Sequence, residues 1–76
     1  MENLMHWYNP ATKQEEEVSA PMSDAQAIEM LSGNQNSDRF IAEYRRLRAK
    51  QKDIVKALIF TGETFYFEHQ KGQPPG

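Results

Sequence analysis

The chain has 76 residues, 38% of them apolar and 26% charged, with a formal charge of −2 and no cysteine. A chain of this length makes one small domain, read as residues 1–69, and buries only about 60% of the surface its unfolded form exposes. A thin core leaves room for a stabilising partner or second copy, while the lack of cysteine excludes a disulfide framework, a thiol nucleophile and a thiolate zinc site.

The N-terminus has no basic run ahead of an apolar one. Nowhere do the roughly 18 consecutive apolar residues of a membrane span occur. The expectation is therefore a cytoplasmic protein with no membrane partner.

In chain order, Leu4-Met5-His6-Trp7-Tyr8 is bounded by Asn9-Pro10-Ala11-Thr12 and predicts a short strand entering a turn. Lys13 to Val18 is the natural return strand. Its Glu15, Glu16 and Glu17 are poor strand formers, so it should be a solvated edge whose charge discourages stray pairing.

Ser23 followed by Gln26 is a capping-box pattern, and it opens a short helix over about 24–32 with Ala27, Ile28 and Leu31 on one face. Gly33 ends it, and Asn34-Gln35-Asn36 is a polar link. Phe40, Ile41, Tyr44, Leu47, Ile54, Val55, Leu58 and Ile59 recur at helical spacing and predict one long helix over about 38–60. Ser37 is its N-cap and Gly62 its stop. Gln51 falls in the middle of the apolar stripe, where it makes a polar gap.

The aromatic density of Thr64-Phe65-Tyr66-Phe67-Glu68 predicts a strand paired with the N-terminal one. The tail over 70–76 has nothing to bury and is expected to be disordered. The fold class is therefore α+β: a helical hairpin of a short and a long helix, with a small antiparallel sheet from the terminal segments.

Residue types that do chemistry are sparse. His6 and His69 stand near opposite ends and would meet beside Glu68 only if the terminal strands paired, and no ligand spacing supports a metal site. No phosphate-cradling glycine loop and no nucleophile elbow occur. Neither an enzyme nor a bound cofactor or metal is expected.

Charge is unevenly spread. Residues 1–38 hold seven acids and one lysine, a net −6, whereas residues 39–56 hold seven Lys or Arg and two acids, a net +5. On the predicted long helix Arg45, Arg48, Lys52 and Lys56 line one flank without an intervening acid. Such a row suits a polar rim or a phosphate backbone.

Phe60 points away from the apolar stripe, so either the helix unwinds before it or the ring is exposed. The segment from Leu58 to Phe67, with only Glu63 charged, is the best apolar contact surface. The order Trp7-Tyr8, a turn, then Ala20-Pro21-Met22-Ser23 opening a helix resembles the start of GYF-type proline-recognition modules over about thirty residues. The Gly-Tyr-Phe element of those modules is absent, so the resemblance assigns no binding residues.

The functional expectation is a small non-catalytic regulatory or accessory module that binds another protein or itself as a homodimer. Phe60, Phe65 and Phe67 form its apolar centre, with Arg45, Arg48, Lys52 and Lys56 as its charged rim. Two alternatives remain open. One is a nucleic-acid accessory protein that uses the basic flank; the other is a mobile-element-type inhibitor that presents Glu15, Glu16 and Glu17 to a basic target.

Overall fold

The computed structural model describes residues 4–71, with side chains through Glu68. Two strands, β1 (Leu4–Asn9) and β2 (Gln14–Ser19), are followed by three helices, α1 (Asp24–Met30), α2 (Ser37–Arg48) and α3 (Ile54–Lys71). The α+β class stands, with a different distribution of elements.

The sheet is the N-terminal hairpin alone. Its strands are antiparallel, with Trp7 opposite Glu16, Tyr8 opposite Glu15 and His6 opposite Glu17. Lys13, at φ 61°, turns the chain, and its amide donates to the Asn9 carbonyl at 2.7 Å. Alternation divides the ribbon into an inner face with Trp7 and Val18 buried and an outer face with His6 and Tyr8.

Asn9, also buried, fastens the inner face. Its amide nitrogen donates to Glu16 at 2.8 Å and to the Met30 carbonyl at 3.1 Å, and its Oδ1 accepts from the Ala11 amide. A buried amide side chain is tolerable only when paired in this way.

The capping box of α1 is present: Ser23 Oγ accepts from the Gln26 amide and Gln26 Oε1 accepts from the Ser23 amide. Gly33 then takes φ +90°, a conformation in which a side chain would be strained. Asn36 rather than Ser37 is the N-cap of α2, and it makes no side-chain capping bond.

The expected single helix over 38–60 is two helices. The chain leaves the helix at Ala49 and re-enters at Ile54. Asp53 Oδ1 accepts from the Val55 and Lys56 amides, which satisfies amides at the start of α3. On the other side, Arg48 Nη1 donates to the Gln51 and Lys52 carbonyls. The polar Gln51 is thus a hinge between two apolar stripes rather than a gap within one. The helical hairpin is formed by α2 and α3: the pairs Arg39/Glu68, Phe40/Phe65 and Glu43/Thr64 run in opposite senses along the two helices.

Residues 64–68 are helical, not a strand. Phe65 lies seven residues after Leu58 and four after Thr61, on the buried side of α3. Its ring meets Phe40 edge to face at 4.7 Å. Thr61 and Thr64 bond back to the carbonyls of Ala57 and Phe60, so their hydroxyls are satisfied within the helix.

Gly62 is not a helix stop either. It lies within α3 against β1, and a Cβ built there would strike the Tyr8 carbonyl oxygen and come within 2.9 Å of Trp7 Cε3. Glycine is what allows the helix backbone to touch the strand.

The core gathers on α3, where Val55, Ala57 and Leu58 meet Trp7, Val18, Ala27, Leu31, Phe40 and Tyr44. Gln70 and Lys71 belong to α3; the rest of the expected tail, 72–76, lies outside the described residues.

Candidate functional site

Beside the junction of hairpin and α3, the ribbon and one side of the helix line an open groove of about 410 Å³. β1 contributes His6, Trp7 and Tyr8, β2 contributes Glu15, and α3 contributes Ile59, Glu63 and Tyr66. The contact between Gly62 and β1 sets its depth, because a bulkier residue there would push the helix off the ribbon.

Tyr8 and Tyr66 meet edge to face, with ring centroids 5.2 Å apart. Tyr66 in turn meets Phe67 at 5.9 Å. The aromatic surface therefore continues from the groove onto the exposed side of α3, where Tyr66 is 40% exposed, Phe67 60% and Phe60 37%.

Two carboxylates line this aromatic groove. Glu15 Oε1 is 3.6 Å from His6 Nδ1, both side chains being well exposed. Glu63 stands on α3 across from the ribbon, and no lysine or arginine among the described residues pairs with either acid. The indole N–H of Trp7 is buried and has no hydrogen-bond partner among the described residues.

Of the expected apolar contacts, Phe60 and Phe67 are exposed, and the exposed alternative for Phe60 is the one realised because α3 continues past it. Phe65 is not a surface contact. It is packed on the core with the Arg39 guanidinium over its ring at 5.5 Å.

The four-cation row is broken. Arg45 and Arg48 lie on α2, Lys52 in the link and Lys56 on α3, so they do not share one helix face. Arg48 is also engaged structurally, donating to Asp24 through Nε at 2.8 Å and Nη2 at 3.3 Å. Tyr44 donates its hydroxyl to the same carboxylate at 2.5 Å. The bond from Arg48, joined by the one from Tyr44, holds the Asp24 carboxyl below the ordinary carboxylate range. Burial, with Asp24 beside it, pushes the Tyr44 phenol well above the ordinary tyrosine value. Arg46 likewise binds Glu43 through two nitrogens and lowers its pKa.

The glutamate triplet divides between the two faces of β2. Glu16 turns inward and accepts from Asn9 and, at 2.9 Å, from Thr12, whereas Glu15 and Glu17 are exposed. The imagined meeting of His6, His69 and Glu68 is not formed on a sheet, since Glu68 lies on α3; the His69 side chain is outside the described residues. Among the described residues no group of three or more His, Cys, Asp or Glu is placed to hold a metal. Nor, among them, is any helix long and apolar enough to cross a membrane.

Sequence reasoning missed Tyr8, and it held Ile59, Glu63 and Tyr66 only as part of the 58–67 segment without singling them out as site residues. A signal for them exists in the helical spacing of Ile59, Glu63 and Tyr66 (i, i+4, i+7), hidden by the strand-like aromatic density around them. Comparison of the chain with protein-family models, with curated proteins and with solved structures gave no match.

Proposed function

We propose that the protein is a small non-catalytic interaction module whose contact surface is the exposed side of α3 together with the groove beside it. The observation that carries this reading is the set of exposed aromatic rings Phe60, Tyr66 and Phe67 on one helix whose other side is packed against the core. Large rings presented at low conformational cost are what protein contacts use as anchors, with charged groups at their edge. Here Lys56, Glu63 and Glu15 supply the edge.

The test uses the full chain as bait with partners from its source cells, beside the double variant Phe60→Ser/Phe67→Ser. Loss of specific capture at an unchanged melting temperature supports the module. Identical capture by both chains overturns it. Light scattering over a concentration series decides whether the partner is a second copy.

A further inference from the structure

The aromatic contact surface contains a feature that its flat part lacks: a groove lined by carboxylates from two elements and by aromatic residues. We propose that this groove binds the side chain of an arginine, presented by a basic peptide segment of the partner. The inference deepens the interaction reading and rests on it.

Its basis is the chemistry of the lining. Among the described residues Glu15 on β2 and Glu63 on α3 are the acidic groups of the groove, and no described lysine or arginine neutralises them. His6 is the one basic side chain among the described lining residues and is already beside Glu15. The rest is Trp7, Tyr8, Tyr66 and Ile59. Ring faces attract a cation within about 6 Å of the centroid, while carboxylates accept from its N–H groups.

An anion would face Glu15 and Glu63 with no lysine or arginine among the described lining residues to hold it, and a purely apolar side chain would leave both carboxylates unused. The planar guanidinium suits the site better than an ammonium because it can lie on a tyrosine ring and direct its edge at a carboxylate at the same time. A volume of about 410 Å³ accommodates one long side chain.

The flanking residues of the ligand would rest on Tyr66 and Phe67, whose rings continue the groove wall outward. The segment is therefore arginine between apolar residues, and electrostatic complementarity contributes to its selection as well as its affinity.

The experiment titrates the isotope-labelled full chain with acetyl-Gly-Phe-Arg-Phe-Gly-amide and with the same peptide carrying citrulline, the neutral shape-match of arginine. The arginine peptide should shift the amide signals of His6, Tyr8, Glu15 and Glu63 and bind about tenfold tighter than its citrulline partner. In the Glu15→Gln/Glu63→Gln variant that preference should disappear while citrulline-peptide binding persists. Both glutamates are exposed, so the variant's fold can be verified from its unchanged spectrum elsewhere. Raising the salt should also narrow the difference.

Equal binding of the two peptides would overturn the arginine assignment and leave the aromatic contact surface standing. A preference that survives in the double glutamine variant would overturn it as well. Shifts at the groove signals produced only by concentrating the protein alone would assign the groove to a second copy instead. No response to either peptide, with capture by the full chain also absent, would remove both the groove assignment and the interaction module.

Discussion

The corner between α1 and α2 and the groove between the hairpin and α3 are built from similar materials, tyrosine beside carboxylate, yet they are finished differently. At the corner Asp24 accepts from Tyr44 and twice from Arg48, and Arg48 uses its remaining nitrogen on the Gln51 and Lys52 carbonyls. Donors and acceptors answer one another within the chain. In the groove Glu63 and Glu15 meet no arginine or lysine among the described residues. A cluster whose carboxylate is matched by a cation holds elements together, whereas carboxylates in a concavity with no described lysine or arginine beside them retain their capacity for a cationic ligand.

The largest effect should come from Gly62, on which the groove and part of the core both depend. Gly62→Val places side-chain atoms where the Tyr8 carbonyl and the Trp7 ring already lie. The expected loss is about 3 kcal/mol or more, read as a lowered urea midpoint, with collapse of the groove signals. A variant of wild-type stability would break the link between helix approach and groove.

At the corner, Tyr44→Phe removes a buried hydroxyl whose partner stays behind. It should lower stability by about 1 kcal/mol in the same measurement. The corner also carries a pH signature on each side of neutrality.

On the acid side, the folded Asp24 has a pKa below its ordinary value of 3.8, so its contribution is present above that value and is lost as the pH falls through the folded value. Alkaline behaviour runs the other way. The folded Tyr44 is raised above its ordinary 10.0, so its contribution is complete below pH 10.0 and declines as the unfolded chain ionises above it. Thermal melts from pH 9 to about 11 should show this decline in the native sequence and a weaker one in Tyr44→Phe.

The smallest effects should fall on the groove rim and the helix face. Glu15→Gln, Glu63→Gln and Phe67→Ser should each change stability by within about 0.5 kcal/mol, because these side chains are exposed. A loss of well over 1 kcal/mol for any of them in calorimetry would mean that its role is structural, and the contrast between corner and groove would fail there.

Much of the local structure was legible in the residues. Ser23 and Gln26 announced the start of α1, and Asn9-Pro10 marked the turn between the strands. The helical stripe from Phe40 to Leu58 was also readable, because periodicity reports which side of an element is buried. The break at Gln51 was less so. Asp53 is as good a cap as Ser37, yet a cap in the middle of a continuing stripe becomes a helix start only when the second half can fold back and bury its own apolar side.

Local pattern by itself thus determined the hairpin, the short helix and the apolar faces, all of which depend on neighbours a few residues apart. Tertiary contact decided three things. It turned Thr64 to Glu68 into helix, because Phe65 finds Phe40 and Tyr66 finds Tyr8 only on a continued α3. It changed Gly62 from a terminator to a point of close approach, since a glycine inside a packed helix is used for its missing Cβ rather than for its φ. And it joined Glu15 to Glu63, which are forty-eight positions apart in the chain. No periodicity encodes that pairing, because it exists only where a helix is pressed against a strand.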